Sequence, residues 1–124
     1  MIFDLTKRKS GGGGYTLDDI LRRVEPSGAV VVDGYALTPY ALYKCTNITS
    51  LTLKNQTYSG TVPYIAGACT SCTTVVCRSV NNTNATFEYA FNGQTVLKTF
   101  DTDSAGLQRF MFYGDANLDT LILR

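Results

Sequence analysis

Four cysteines are the side chains in this sequence best suited to metal or redox chemistry. Cys69 and Cys72 are separated by two residues, Cys77 follows shortly after them, and Cys45 stands apart. A structural zinc site built from thiolates needs two close pairs, and only one close pair is present. The same residues could instead form a disulfide or lie in the core as thiols. The isolated position of Cys45 favours buried thiols, so we predict no metal site and no cofactor.

Acid–base chemistry has little support in the composition. The chain contains no histidine, which excludes an imidazole base and every serine or cysteine nucleophile that depends on one. The aspartates and glutamates are scattered, and no two of them share a recognisable motif. We therefore predict that the protein has no catalytic residues and is not an enzyme.

Length and charge limit the remaining function classes. A chain of 124 residues supports one modest core. Eleven basic and ten acidic residues give a formal net charge of +1, which argues against nucleic acid as a partner. The sequence has no run of 18 apolar residues, so we expect no membrane insertion.

Residues 1–14 have the composition of an arm. The basic cluster Lys7–Lys9 is followed by the glycine run Gly11–Gly14, which cannot bury enough apolar surface to form a core of its own. We predict an extended docking arm that binds a partner protein. Its candidate contact residues are Ile2, Phe3, Leu5, Lys7, Arg8 and Lys9.

Residues 15–36 predict a cap made of a short helix and a strand. Between Thr16 and Val24, apolar residues recur at helical spacing behind a capping-box pattern. The apolar run Ala29–Val32 then predicts a strand at the start of the core.

A repeat occupies residues 37–124. Equivalent segments begin at Leu42, Ala66, Phe91 and Phe112, which are 24, 25 and 21 residues apart. This period lies within the range of about 20–29 residues that leucine-rich repeats show, and it predicts a solenoid whose strands stack in parallel. The predicted repeat core consists of Leu42, Ile48, Leu51, Leu53, Val75, Cys77, Phe91, Leu97, Phe100, Phe112, Leu118, Leu121 and Leu123.

The complete fold prediction is an α/β leucine-rich-repeat solenoid with a parallel strand ladder, preceded by the extended arm and the short helix. The stretches Tyr89–Phe91 and Arg109–Phe112 favour one helical turn on the return path of each unit. Several tyrosines are candidates for contact anchors on an outer face or for half-buried packing. They are Tyr35, Tyr40, Tyr43, Tyr58, Tyr64, Tyr89 and Tyr113.

The repeat unit resembles a known family. The segment Ala41–Leu53 has the order aromatic, one residue, Cys-Thr and then alternating leucines, which is similar to the BspA-like leucine-rich repeat of bacterial surface antigens. The resemblance covers about residues 37–124. It departs from the pattern in the third unit, where Gln94-Thr95 replaces the Cys-Thr pair.

The arm carries a second resemblance. The sequence from Asp4 to Lys9 followed by glycines resembles the N-termini of small structural proteins in tailed bacteriophages. The two resemblances together imply a virion protein of a tail fibre, baseplate or capsid appendage. Other virion proteins are expected as partners of the arm, with a homo-oligomer in a symmetric assembly and a host-surface receptor on the repeat body.

Two further expectations follow from the same features. The alternative function is a bacterial cell-surface adhesin or interaction module that uses the same repeats. The fourth repeat strand reaches Arg124 without a polar cap, so we expect either further repeats beyond Arg124 or burial of Leu121 and Leu123 against another subunit.

Overall fold

Six parallel strands form a single sheet in which the spatial order follows the chain order. The computed structural model describes residues 2–4, 27–34 and 36–124. In chain order, the strands of the described residues are β1 (Ile2–Asp4), β2 (Gly28–Asp33), β3 (Ile48–Thr61), β4 (Thr74–Thr86), β5 (Thr99–Thr102) and β6 (Thr120–Leu123). Each strand pairs with the next one, and this is the ladder of a β-solenoid of about four turns. The predicted solenoid with a parallel ladder is therefore confirmed.

Successive turns of the solenoid keep one register. We call them coil I (residues 38–61), coil II (62–86), coil III (87–107) and coil IV (108–124). Leu51 pairs with Val75, Val75 with Phe100, and Phe100 with Leu121. Because side chains alternate along a strand, a column of this kind stays on one side of the sheet from coil to coil. In coils I to III that side is the core, where Leu51, Val75 and Phe100 are buried.

The return path of each coil is built from tight turns. A hydrogen bond from Ala90 N to Phe87 O closes one of them, and Tyr89 at its third position has a φ of 58°. This is the arrangement of a type II turn, which requires a left-handed residue at that position. Tyr40, Tyr64 and Phe110 are left-handed at the equivalent positions. The cost of a left-handed non-glycine residue is about 1–3 kcal/mol, and packing between coils must offset it.

Backbone hydrogen bonds join the return paths of neighbouring coils. Leu42 N donates to Ile65 O at 2.8 Å, Ala66 N to Ala90 O at 2.9 Å, and Phe91 N to Met111 O at 3.0 Å. Each coil is thus held to the next on two sides, by the strand ladder and by these bonds.

Two predictions about helices and the arm have different outcomes. The single helical turns expected at Tyr89–Phe91 and Arg109–Phe112 are wrong, because left-handed Tyr89 and Phe110 interrupt any helical path. No helix occurs in residues 27–34 or 36–124, and the helix predicted over 16–24 lies outside the described residues. Ile2–Asp4, assigned to the arm, form β1 of the sheet. The remaining arm residues Leu5, Lys7, Arg8 and Lys9 lie outside the described residues.

The predicted core residues differ by coil. Buried members are Leu42, Ile48, Leu51, Leu53, Val75, Cys77, Phe91, Leu97 and Phe100. In coil IV, Phe112 and Leu118 are partly buried and pack against that core. Leu121 and Leu123 were assigned to the core but are 48% and 63% exposed. No further coil stacks on coil IV in the described part of the chain, so nothing covers these two side chains.

Candidate functional site: an aromatic strip on the return path

A row of stacked aromatic rings runs along the solenoid on its return path. Tyr40 and Tyr64 stack with centroids 5.1 Å apart, Tyr64 and Tyr89 at 5.2 Å, and Tyr89 and Phe110 at 5.4 Å. Their planes are inclined by only 14°, 6° and 5°. One ring per coil therefore contributes to a continuous stack with the spacing of the coils.

Two tyrosines flank this stack. Tyr43 lies beside Tyr40 and Tyr64 at 5.5 and 5.6 Å, with its plane nearly perpendicular to theirs. Tyr113 makes the same kind of contact with Tyr89 at 5.9 Å. We define the aromatic strip as these six side chains, namely Tyr40, Tyr43, Tyr64, Tyr89, Phe110 and Tyr113.

The backbone explains why the rings share one direction. Tyr40, Tyr64, Tyr89 and Phe110 have φ values of 62°, 55°, 58° and 61°, so each leaves its turn at the same angle. The next corner of each coil has a second left-handed residue, and there the chain uses Lys44, Ala68, Gly93 and Gly114. The two left-handed residues lie four positions apart in each coil, so the same pair of turns recurs from coil to coil.

Gly67 leaves room for the flanking ring of Tyr43. It is the coil II equivalent of Tyr43, and a Cβ added to it would clash with Asn92 Oδ1 and lie 3.1 Å from Tyr43 Cδ1. A larger residue at this position would displace one of these neighbours. The strip therefore depends on a small residue between its two flanking tyrosines.

Cations lie over two rings of the strip. The Lys44 ammonium is 5.3 Å from the centroid of Tyr43, and the Arg109 guanidinium is 4.8 Å from the centroid of Phe110. Both distances are typical of cation–π contacts. Burial among the neighbouring rings raises the pKa of Tyr64, and the adjacent tyrosines and Glu88 raise it further.

The strip combines aromatic area with a fixed scaffold. Tyr40 and Tyr113 are among its most exposed members, at 52% and 64%. Exposed aromatic side chains on a rigid surface lose little conformational entropy on binding, and tyrosine is enriched at protein interfaces. The strip thus has the features of a protein-contact surface.

The outer face of the sheet carries a charged cluster. Asp101 in β5 accepts hydrogen bonds from Arg124, with Nε to Oδ1 at 2.9 Å and Nη2 to Oδ2 at 3.1 Å. Arg78 in β4 approaches Asp101 Oδ1 at 3.0 Å. Hydrogen bonds from Arg124 and then Arg78 lower the pKa of Asp101 to about 2. This cluster ties three neighbouring strands together, and each of its charges has a partner.

The four cysteines lie in the core as thiols. Burial raises the pKa of Cys69 to about 12, that of Cys72 to about 11 and that of Cys77 to about 12. Cys69 Sγ donates to Leu42 O at 3.2 Å, so its proton has a structural use. Thiols of this kind are poor nucleophiles and poor metal ligands. Within the described residues no group of cysteine and acidic side chains is placed to hold a metal ion.

An open groove lies where coils III and IV meet at the end of the ladder. The groove has a volume of about 390 Å³ and is lined by Thr102–Leu107, Leu123 and Arg124. The groove has a mixed lining in which Arg124 is already engaged by Asp101. The surface that the groove offers to a ligand is therefore mainly apolar.

The sequence predicts part of the strip. All five of its tyrosines are among the predicted contact anchors, whereas Phe110 is not, because the pattern of its segment favours a helical turn. Tyr58, another candidate, is buried, and Tyr35 lies outside the described residues. A usable signal was present, because Tyr40, Tyr64, Tyr89 and Phe110 follow the same 24, 25 and 21 residue spacing as the core columns.

Comparison with protein-family models, with curated proteins and with solved structures finds no match for this chain. None of the described residues forms a helix long and apolar enough to cross a membrane.

Proposed function

We propose that this chain is a non-enzymatic contact protein of a tailed bacteriophage particle, a component of a tail fibre, baseplate or capsid appendage. In this proposal the repeat body is a leucine-rich-repeat solenoid of the BspA-like kind. The part of its N-terminal arm that follows β1 docks into other virion proteins, and its aromatic strip binds a host-surface receptor or a neighbouring protein. The observation that carries the proposal is the strip of six aromatic rings on a rigid scaffold, of which Tyr40, Phe110 and Tyr113 are exposed and the other three are half-buried.

Three features support a contact role over a chemical one. Aromatic anchors supply much of the binding energy in protein interfaces. The strip lies along the solenoid axis, so its length grows with the number of coils, as in other repeat proteins that bind extended surfaces. The cysteines, which were the strongest candidates for chemistry, have pKa values well above neutrality because they are buried.

The particle location is tested by immunogold electron microscopy of lysates and intact cells from the source culture. We expect antibodies against the chain to label regular positions on tailed particles. Label on the bacterial envelope with none on particles would favour the alternative, a cell-surface adhesin. Label on neither would contradict both functions.

The role of the strip is tested with a paired substitution. Tyr40→Ser with Tyr113→Ser removes two exposed rings and should reduce binding of the purified protein to host cells at least tenfold, measured by a fluorescent pull-down. Val96→Ser is the matched control, because Val96 is an exposed apolar residue outside the strip. Equal binding by wild type and the double variant would remove the strip from the proposal while leaving the particle location open.

A further inference from the structure

One column of the solenoid changes from thiol to amide to carboxylate along the chain. Its members are Cys45 in coil I, Cys69 in coil II, Gln94 in coil III and Asp115 in coil IV, each buried at the corner between the return path and the next strand. Their spacing follows the repeat at 24, 25 and 21 residues. All four side chains therefore occupy equivalent positions.

Two members of this column donate a hydrogen bond to the coil before them. Cys69 Sγ donates to Leu42 O at 3.2 Å, and Gln94 Nε2 donates to Ala66 O at 2.6 Å. Leu42 and Ala66 are themselves equivalent residues of successive coils. The next equivalent carbonyl is that of Phe91, and by the spacing of the repeat the corresponding column member is Asp115.

Asp115 has one satisfied and one unsatisfied oxygen. Its Oδ1 accepts a hydrogen bond from Gln94 N at 2.7 Å, whereas the buried Oδ2 has no partner among the described residues. An ionised carboxylate only accepts hydrogen bonds and cannot donate to a carbonyl as Cys69 and Gln94 do. A protonated carboxyl group can fill both roles, and an unpaired buried charge is costly.

We propose that Asp115 carries a proton on Oδ2, donates it in a hydrogen bond to Phe91 O, and thereby makes the docking of coil IV on coil III dependent on pH. Protonation completes the column, and loss of the proton leaves a buried charge with one unsatisfied oxygen. Coil IV then docks less tightly.

The electrostatic surroundings agree with this assignment. Burial raises the pKa of Asp115 from 3.8 to about 7, and the hydrogen bond from Gln94 N opposes the rise. No charged side chain of the described residues contributes to the shift. Among the described residues, the titratable group that interacts with Asp115 is the Cys72 thiol of coil II, whose own pKa is raised partly by Asp115. That thiol is neutral throughout the range in which Asp115 titrates.

The switch would act on one end of the aromatic strip. A hydrogen bond from Asp115 N to Phe112 O at 2.9 Å closes the turn that carries Tyr113. Gly93 N donates to Tyr113 O at 2.8 Å and joins the same turn to coil III. Weaker docking of Asp115 on coil III therefore also weakens the attachment of Tyr113 to coil III. The inference itself does not rest on what the strip binds.

The test follows the wild-type chain by NMR between pH 4 and 8. The Asp115 side-chain carbon should titrate near pH 7 rather than near 3.8. Hydrogen exchange at Phe91 N and Gly93 N, corrected for the intrinsic rate, should show an opening equilibrium that rises up to about tenfold per pH unit between 4 and 7. Ala66 N, bonded between coils II and III, should show a much smaller change.

Two substitutions separate the proton from the shape of the side chain. Asp115→Asn keeps an acceptor and supplies a permanent donor, so the exchange of Phe91 N and Gly93 N should lose its pH dependence. Asp119→Asn alters an exposed aspartate of the same coil and should leave the wild-type profile unchanged. A wild-type Asp115 titration near its ordinary value would overturn the proposal, as would an unchanged pH profile in Asp115→Asn. The wild-type titration decides alone if that variant does not fold.

Discussion

Leu51 in coil I and Leu121 in coil IV occupy the same column of the ladder but have different surroundings. Leu51 is 1% exposed because coil II lies over it, and Leu121 is 48% exposed. Their sequence contexts are alike, since each is followed at the second position by another leucine of the core pattern. The comparison teaches that in a solenoid a residue's burial depends on whether the next coil is present, because each coil contacts only its neighbours.

The largest expected effect tests this comparison directly. Leu51→Ala should destabilise the protein by about 2–5 kcal/mol, because a buried leucine loses its contacts and leaves a cavity. Leu121→Ala should cost about 1 kcal/mol or less in the isolated chain, because the side chain is already half exposed. Urea unfolding of both variants measures the difference. Equal costs would mean that another polypeptide covers Leu121 in solution or that the register is wrong.

A polar network in coil I and the residue before it provides an intermediate effect. The Tyr58 hydroxyl accepts a hydrogen bond from Leu37 N at 3.1 Å and donates to Gln56 Oε1 at 2.5 Å. Tyr58→Phe leaves both groups buried without a partner, which should cost about 1–3 kcal/mol. Tyr113→Phe, at an exposed ring of coil IV, should change stability by no more than about 0.5 kcal/mol. Thermal unfolding of the two variants should therefore differ clearly, and equal melting temperatures would contradict the buried network.

The smallest effect concerns the charges that join coil IV to the outer face. The pKa of Asp101 is lowered to about 2 by Arg124 and Arg78, so its contribution to stability is present above its ordinary value of 3.8 and is lost as the pH falls towards 2. Asp115 has the opposite sign, because its raised pKa makes stability fall as the pH rises from 3.8 to about 7. Melting curves of Asp101→Asn between pH 2 and 5 should show a flatter pH dependence than wild type. An unchanged slope would show that the ion pairs contribute nothing in solution.

The solenoid could be predicted because its signal is repeated. The spacing of Leu42, Ala66, Phe91 and Phe112 indicates coils of similar length, and the alternation around Leu51 and Leu53 indicates which face is buried. The return path could not be predicted in the same way. Tyr89-Ala90-Phe91 has apolar and aromatic residues at spacings compatible with a helix, and only the left-handed φ of Tyr89 reveals a turn.

The candidate site was predictable only in part. Sequence composition showed that tyrosines were numerous enough to form a contact surface. The stacking of Tyr40, Tyr64 and Tyr89 depends on three coils placing equivalent left-handed residues above one another, which is a property of the assembled solenoid. The sequence does not single out Asp115, because a scattered aspartate gains its raised pKa only from burial in the folded solenoid.

The sequence by itself determined the period, the parallel ladder and the buried columns of coils I to III, because each of these follows from a local pattern that recurs along the chain. Tertiary structure decided the incomplete burial of coil IV, the alignment of the aromatic strip and the surroundings of Asp115. Each of these depends on contacts between residues more than 20 positions apart, such as the hydrogen bond from Gln94 N to Asp115 Oδ1. A local pattern sets the direction of a side chain, and the neighbouring coil determines what that side chain meets.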